Sequence, residues 1–282
     1  MKKEIIFRNQ VTVPVLGQGT WNMGENAFKK AEELKVLQKG IELGMTAIDT
    51  AEIYGEGRSE ILVGEAIKGL REKVFLISKI APSHASHRGT RIACENSLKR
   101  LKTDYLDLYL LHWKSRIPIN ETICALQELQ KEGKIKQWGV SNMDTADMEE
   151  IYTLPEGNNC GANEVLYNLT RRGIEYDLLP WCQKNHLPLI AYSPIEQGRL
   201  LNHSGLKAIA DKHSATPSQI ALAWICRHPD VLAIPQTSSL EHLEENFKSL
   251  SIRLTEEDLT ELDRYFPAPT QKKTFRNDLI ND

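Results

Sequence analysis

Two stretches, VFLISK (residues 74–79) and YLDLYLLH (residues 105–112), decide the fold of this chain. Each is a short apolar run that ends in a polar residue, Lys79 in the first and His112 in the second. Similar runs recur with starts about 30 residues apart for most of the chain, which is the size of one βα repeat. The other six runs are VLGQGT (15–20), MTAIDT (45–50), KQWGVSN (136–142), GANEVL (161–166), PLIAYS (188–193) and VLAIPQ (231–236).

Helical patterns lie between these runs; Leu34, Leu37 and Ile41, for example, share one face of a helix. Strands that alternate with helices predict parallel pairing. Eight such units predict an α/β fold of the closed (β/α)8 type, a TIM barrel. An open doubly wound sheet is the alternative, but the even spacing favours closure.

Two features extend this basic barrel. Short extended segments flank Asn9-Gln10 and predict an N-terminal β-hairpin. The gap between the last two strands is long enough for an additional helix, and another helix is expected near Thr255–Tyr265. We therefore expect one domain over residues 1–282, with a hairpin at its start and extra helices near its C-terminus.

The composition argues against several classes of protein. The chain has 282 residues, of which 41% are hydrophobic, and its net charge is −3. Basic residues are mixed with acids, so no face for nucleic acid is expected, and no apolar run predicts a signal peptide or a membrane span. The five cysteines include no C-x-x-C pair, which suits a reducing cytoplasm and not a disulfide or zinc scaffold. A cytoplasmic monomer or weak oligomer is expected.

Four polar residues fall where early strands should end. Asp49 closes the second strand, Tyr54 lies in the following loop, Lys79 closes the third strand and His112 closes the fourth. Each has an ordinary structural explanation by itself, but a charge or an imidazole that ends an apolar run costs energy unless it has a partner. Because the active site of such a barrel lies at the C-terminal ends of the strands, the four side chains should converge on one mouth.

These residue types suit proton transfer by the phenol. A free phenol has a pKa of about 10 and is a poor proton donor at neutral pH. The ammonium of Lys79 should lower that pKa, Asp49 can hold Lys79 charged and oriented, and His112 can hydrogen bond to a carbonyl oxygen. General acid catalysis works best when the pKa of the donor approaches the working pH.

The chain resembles the aldo-keto reductase superfamily over residues 15–250. The resemblance rests on LGQGTW (16–21), AIDTAEIYGEGRSE (47–60), LISKI (76–80), DYLDLYLLHW (104–113), GVSN (139–142), IAYSP (190–194), AIPQTSS (233–239) and EEN (244–246). It implies NAD(P)H-dependent reduction of aldehydes and ketones to alcohols, or the reverse, with NADP(H) favoured and NAD(H) as the alternative. Asp49, Tyr54, Lys79 and His112 would form a catalytic tetrad, with Tyr54 as the general acid.

The resemblance also implies contacts for cofactor and substrate, and no metal. The substrate pocket would be lined by Trp21, Tyr54, His112 and Trp113. The cofactor would contact Gly19, Thr20, Trp21, Asp49, Ser141, Asn142, Glu164, Tyr192, Ser193, Ile195, Gly198, Gln236, Thr237, Ser238, His242, Glu245 and Asn246. In addition, Ser238–Glu241 (SSLE) has the pattern of a capping box at a helix start, where backbone N–H groups favour a phosphate.

Two departures from the family pattern concern the cofactor. Glu164 stands where the family usually has the Gln that contacts the nicotinamide carboxamide, and a carboxylate there should favour the oxidised cofactor. Gln236 and His242 stand near the 2′-phosphate, where NADPH-preferring relatives usually have Lys or Arg. Since charge-assisted contacts to phosphate are the stronger ones, we expect only a weak preference for NADPH.

Other patterns carry less weight. The glycines of GQGTWNMG and YGEGRSE lack the G-x-G-x-x-G spacing of a dinucleotide fold. His84 and His87 have no carboxylate or cysteine partner nearby in sequence, so a loop is expected there and not a metal site. Two other functions remain open: a Schiff-base aldolase that uses Lys79, and a cofactor-binding regulatory protein with this fold and little turnover.

Overall fold

The chain folds into a barrel of eight parallel strands surrounded by helices, in a computed structural model that describes residues 4–272. A separate antiparallel pair precedes the barrel and consists of β1 (Glu4–Ile6) and β2 (Thr12–Pro14). The barrel strands are β3 (Gln18–Gly19), β4 (Ala47–Asp49), β5 (Phe75–Ile80), β6 (Leu106–Leu111), β7 (Ile135–Ser141), β8 (Asn163–Leu166), β9 (Leu189–Tyr192) and β10 (Val231–Ala233).

Helices follow the barrel strands and pack around them. The α-helices are α1 (Lys30–Leu43), α2 (Arg58–Ala66), α3 (His87–Leu101), α4 (Ile119–Lys131), α5 (Thr145–Thr153), α6 (Leu178–Lys184), α7 (Ser204–Lys212), α8 (Pro217–Ile225), α9 (Leu240–Lys248) and α10 (Glu256–Tyr265). The pair α7 and α8 fills the long gap before β10, and Thr255 caps α10 by accepting from the N–H of Asp258. The predicted extra helices are therefore confirmed. No helix within residues 4–272 is long and apolar enough to cross a membrane.

The order of the strands in the sheet follows the chain from β3 to β10, and every pair is parallel. The N–H of Gly17 donates to the carbonyl of Ala233 over 2.8 Å, which joins the first strand to the last. A Cβ on Gly19 would lie 2.7 Å from the carbonyl oxygen of Ile234, so only glycine permits this close approach. The predicted closed barrel is confirmed, and the open doubly wound alternative is wrong.

The predicted N-terminal hairpin is also confirmed, and it packs at the N-terminal end of the barrel. The ring of Phe7 lies 4.7 Å from that of Phe75, the first residue of β5. Arg8 donates to the carbonyl oxygen of Asn185, just before β9, over 2.9 Å. The hairpin therefore covers the end of the barrel opposite the expected active site.

A balanced ion pair lies at this same N-terminal end. Arg71 is 2.8 Å from the carboxylate of Asp107 in β6, and it also donates to the carbonyl oxygens of Val74 and Tyr105. The carboxylate of Asp107 accepts a further hydrogen bond from the N–H of Leu76. Each charged group has one partner of opposite charge and several hydrogen bonds, so this cluster joins β5 to β6.

Candidate active site

The structure brings the four predicted catalytic residues together at the C-terminal ends of the strands. Asp49 ends β4, Lys79 is the next-to-last residue of β5, and His112 directly follows β6. Tyr54 begins a 3-10 helix in the loop after β4, and the two residues after it adopt left-handed backbone conformations. Strand register therefore places the acid, the amine and the imidazole, while a tight loop places the phenol.

Lys79 is the centre of this group. Its Nζ donates to Asp49 Oδ1 and to the carbonyl oxygen of Thr50, and it lies 3.4 Å from the Tyr54 hydroxyl oxygen. Its side chain is fully buried, and a second carboxylate, Glu164 Oε1 of β8, approaches the same Nζ to 3.3 Å from across the barrel. One ammonium therefore faces two carboxylates.

These carboxylates fix the charge of the amine. Burial by itself would lower the pKa of Lys79, but the opposing charges of Asp49 and Glu164 outweigh burial and hold that pKa above its usual range. The amine therefore stays protonated at neutral pH. Because a Schiff base requires a neutral amine as nucleophile, this environment argues against the aldolase alternative.

The phenol of Tyr54 also keeps its proton. Burial raises its pKa above the usual range, and the charge of Lys79 offsets only part of that rise. The sequence-based expectation of a lowered pKa is therefore wrong for this structure, because the loss of solvent outweighs the neighbouring ammonium. A protonated phenol beside an ammonium is equipped to donate a proton, which is the direction that carbonyl reduction needs.

His112 supplies a neutral imidazole beside the phenol. Burial, and then the charge of Lys79, place its pKa well below the usual range. Its ring stacks on Trp113 with centroids 3.7 Å apart and meets the Tyr54 ring edge-on at 5.7 Å. Within residues 4–272, His112 Nδ1 is a buried atom that has no hydrogen-bond partner.

Hydrogen bonds to neighbouring groups hold the side chains that are predicted to bind the carboxamide. Ser141 Oγ donates to the carbonyl oxygen of Glu164 over 3.0 Å, and Asn142 Nδ2 donates to the carbonyl oxygen of His112 over 3.1 Å. The hydroxyl of Tyr192 donates to Asn142 Oδ1 over 2.8 Å, which fixes the position of the tyrosine ring. These bonds connect the catalytic half of the mouth with the half formed by β7 to β9.

The loop after β9 is organised by residues that the sequence reasoning missed. Asn168, just after β8, donates to the carbonyl oxygen of Ser193 and to the buried Glu196 carboxylate, which also pairs with Arg171 at 3.0 Å. Ser193, Glu196 and Gln197 have φ of 47°, 49° and 53°, a conformation that concentrates at functional sites. Ile195 and Gly198 lie in this loop. Polar residues directly after a buried strand, in YNLTRR, were the available signal.

The helix after β10 begins one residue later than predicted. Ser239, not Ser238, is the N-cap, and its Oγ accepts from the N–H of His242 over 3.4 Å. The predicted capping box is therefore wrong. The reason is local: the hydroxyl of Thr237 accepts from the N–H of Ser239, and Gln236 donates to the hydroxyl of Ser238.

The predicted adenosine end of the site is acidic. The buried carboxylate of Glu33 in α1 lies 3.5 Å from the hydroxyl of Ser238, a contact that the sequence reasoning missed. His242 is exposed at the start of α9. Glu245 is half-buried, and Asn246 is buried and accepts from Ser218 at the start of α8.

The predicted substrate-pocket residues lie around the mouth at different depths. Trp21 is 46% exposed, while Thr20 before it is buried and donates to the carbonyl oxygen of Asp49. Trp113 is half-buried against His112. A cavity of about 400 Å³ lies in the loops after β5 and β6, and it is lined by Pro82, Ser83, Lys114, Ser115, Arg116 and Ile117.

Two observations fit this mouth to a nicotinamide cofactor. Glu164 Oε2 and His112 Nδ1 are buried and have no hydrogen-bond partner in the part of the chain that the structure describes. A carboxamide and a substrate carbonyl are groups that could supply partners to them. The second observation is the left-handed backbone at Asn142 and Ser193, which directly follow β7 and β9, the two strands on either side of β8. The donor set therefore fits the group that the resemblance implies.

One sequence-based expectation about the surface is wrong. His87 begins α3 and not a loop, and its Nε2 lies 3.1 Å from Glu128 Oε2 of α4, with Cys124 one helical turn away. The sequence separation of the two helices concealed this carboxylate and thiol. Arg91 Nη1 lies 3.0 Å from the same carboxylate oxygen, so a cation already neutralises Glu128.

The barrel and its buried acid, amine, phenol and imidazole define an oxidoreductase-type proton-transfer site, and comparison with known proteins agrees. The family model described as the Aldo/keto reductase family matches residues 15–266. The chain belongs to the aldo/keto reductase family.

Individual relatives are similar over nearly their whole length. Methylglyoxal reductase YeaE of Escherichia coli (strain K12) is 49% identical over 276 residues, which cover 96% of this chain and 97% of that protein. Glyoxal reductase of Bacillus subtilis (strain 168) is 34% identical, with 93% and 92% covered. The crystal structure of an aldo/keto reductase from Klebsiella pneumoniae in complex with NADP and acetate has a TM-score of 0.96 and 49% identity, with 98% of this chain and 99% of that chain covered.

Proposed function

We propose that this protein reduces small aldehydes and ketones to alcohols, reversibly, with NADP(H) as the favoured cofactor. The observation that carries the proposal is the contact of 3.4 Å between Lys79 Nζ and the Tyr54 hydroxyl oxygen, inside a buried mouth that keeps both groups protonated. The names of the relatives, and the NADP bound to the Klebsiella protein, support the choice of substrate and cofactor.

The roles of the residues follow from their chemistry. When bound, a reduced nicotinamide would supply the hydride. His112 is neutral and can hydrogen bond to the substrate carbonyl oxygen, and Tyr54 delivers a proton to the same oxygen. Lys79 stabilises the phenolate that remains, because its ammonium is held charged by Asp49. Trp21 and Trp113 would form the walls of the substrate pocket beside these groups.

Binding of the cofactor would use the other half of the mouth. Ser141, Asn142 and Glu164 would meet the carboxamide, and the Tyr192 ring would stack on the nicotinamide. The remaining contacts would come from Gly19, Thr20, Trp21 and Asp49 at the ribose, from Ser193, Ile195 and Gly198 at the pyrophosphate, and from Gln236, Thr237, Ser238, His242, Glu245 and Asn246 at the adenosine end. We further propose that the protein works in the cytoplasm as a monomer or weak oligomer.

A carbonyl panel tests this proposal. Oxidation of NADPH and of NADH would be followed by absorbance with methylglyoxal, glyoxal, simple aldehydes and ketones as substrates. We expect turnover with at least one of these carbonyls and a higher kcat/KM with NADPH than with NADH. Tight binding of NADPH without turnover on any member of the panel would contradict the proposed activity and would indicate a regulatory role.

A further inference from the structure

The feature that the proposed function leaves unexplained is a charge imbalance at the centre of the barrel. Lys79 is one ammonium between two buried carboxylates, Asp49 on β4 and Glu164 on β8. The side chains of all three are at most 3% exposed, so water does little to reduce the repulsion between the two acids. When two carboxylates share a buried site, one of them tends to keep its proton.

The geometry indicates which acid keeps the proton. Asp49 accepts a direct hydrogen bond from Lys79 Nζ, while Glu164 Oε1 stands at 3.3 Å from that atom. Glu164 Oε2 has no partner among residues 4–272, although it is buried. Burial, and then the charge of Asp49, place the pKa of Glu164 well above its usual range. The Glu164 carboxyl group is therefore the better place for the proton.

We propose that Glu164 is protonated in the free enzyme and releases that proton to solvent when the oxidised cofactor binds, but keeps it when the reduced cofactor binds. The reason is a count of charges. In the free enzyme one ammonium balances one carboxylate, so the other acid stays neutral. An oxidised nicotinamide adds a second cation, which balances a second carboxylate, whereas a reduced nicotinamide is neutral and adds none. This inference rests on the proposed function, because it needs a nicotinamide cofactor in this mouth.

The other titratable groups that face Glu164 differ from it in their partners. Burial raises the pKa of Asp49 too, but Asp49 accepts a direct hydrogen bond from Lys79, whose own pKa lies above its usual range. Burial raises the pKa of Tyr54 and of Tyr192 above the usual range of a phenol, and burial lowers that of His112 well below its own. Of the two acids in the mouth, Glu164 is therefore the one whose proton a bound cation can displace.

Binding measurements without any turnover test the proposal. Titrations of NADP⁺ and NADPH into the protein would be followed by calorimetry in two buffers of different ionisation enthalpy, at several pH values between about 6 and 9. We expect NADP⁺ to release up to one proton, so that its affinity rises by up to about tenfold per pH unit where Glu164 titrates. NADPH should release much less.

Two variants isolate the residue. Glu164→Gln keeps the shape but has no acidic proton, so release of protons on NADP⁺ binding should fall close to zero, and the ratio of NADP⁺ to NADPH affinity should no longer depend on pH beyond the titration of the cofactor itself. Glu60→Gln is the matched control, because Glu60 is a buried carboxylate paired one-to-one with Arg100 outside the mouth. It should release protons as the wild type does.

The possible outcomes are distinct. Proton release by the wild type and Glu60→Gln, but not by Glu164→Gln, would support the inference. Equal release by the wild type and Glu164→Gln, or no release by a wild type that binds both cofactors, would overturn it and leave the proposed function intact. A wild type that binds neither cofactor would overturn both.

Discussion

The two ends of the barrel hold ion clusters that are built in opposite ways. At the N-terminal end, Arg71 pairs with Asp107, and both make additional hydrogen bonds to the backbone. At the mouth, Lys79 faces both Asp49 and Glu164, and one carboxylate oxygen of Glu164 is left without a partner within residues 4–272. The first cluster is balanced and satisfied, while the second is unbalanced and open.

This difference indicates that the N-terminal cluster serves stability, while the cluster at the mouth serves proton transfer and cofactor binding. A satisfied cluster has no free hydrogen-bonding group for a ligand, and the N-terminal end of such a barrel contributes to stability and not to the active site. An unbalanced cluster keeps protonated groups in a buried place, and such groups are what proton transfer and cofactor binding can use. Matching substitutions at the two ends should therefore have different consequences for turnover and for stability.

Lys79→Met should have the largest effect, because it lowers both the turnover and the stability of the folded protein. Turnover should fall by about 10²–10⁴-fold, which is the contribution of general acid catalysis, because the Tyr54 phenolate would no longer be stabilised by the Lys79 ammonium. Breaking a buried pair should also cost roughly 3–5 kcal/mol in the free energy of unfolding. Steady-state kinetics and urea denaturation measure the two losses.

The pH dependence of the stability loss in Lys79→Met provides a control. Burial already raises the pKa of Asp49 and of Glu164, and without the ammonium both would rise further, so the folded variant would bind protons more tightly than the unfolded chain. The stability deficit should therefore be smallest at acidic pH and grow as the pH rises. A deficit that is independent of pH would show that Lys79 does not neutralise these carboxylates.

Tyr54→Phe should remove the proton donor and leave the ion cluster in place. We expect kcat to fall by about 10²–10⁴-fold, while the affinity for NADPH and the free energy of unfolding change little. Steady-state kinetics with the best carbonyl substrate of the panel measure kcat. A fluorescence titration of NADPH and urea denaturation measure the affinity and the free energy of unfolding. Turnover equal to that of the wild type would contradict the role of Tyr54 as general acid.

Arg71→Met is the counterpart of Lys79→Met at the opposite end. It leaves Asp107 and the carbonyl oxygens of Val74 and Tyr105 without their donor, so the free energy of unfolding should fall by roughly 3 kcal/mol. At a temperature where the variant is folded, kcat should stay within about twofold of the wild type, which is less than 1 kcal/mol in the barrier. A large loss of kcat in the folded variant would break the distinction between the two ends.

Gln236→Lys should have the smallest effect, at the rim of the mouth. A lysine there would offer a charge-assisted contact to a 2′-phosphate, so kcat/KM with NADPH should rise about tenfold relative to that with NADH. Parallel assays with both cofactors measure this ratio, and Gln130→Lys, at an exposed position near the C-terminal end of α4, is a control for added charge alone. An unchanged ratio would place the 2′-phosphate elsewhere.

Much of this architecture could be predicted from the sequence, because the signals are local. Lys79 and His112 each end an apolar run, and the repeat of such runs fixes where their strands end. The predicted capping box at Ser238 failed because the hydroxyl of Ser239, one residue later, caps the helix by accepting from the N–H of His242, while the hydroxyl of Thr237 accepts from the N–H of Ser239. The roles of Asn168 and Glu33 escaped notice, since their partners lie 25 and 205 residues away.

The sequence by itself determined the barrel and the positions of the acid, amine, phenol and imidazole, since period and spacing encode them, and the resemblance of its motifs indicated the family. Only the tertiary structure decided their charge states. Burial raised the pKa of Tyr54 where an isolated ion-pair argument predicted a fall. The fold also placed Glu164 beside Lys79 from across the barrel, although the two residues are 85 positions apart in the chain. Charge states depend on solvent exclusion and on distances between strands, and neither quantity is written in local sequence.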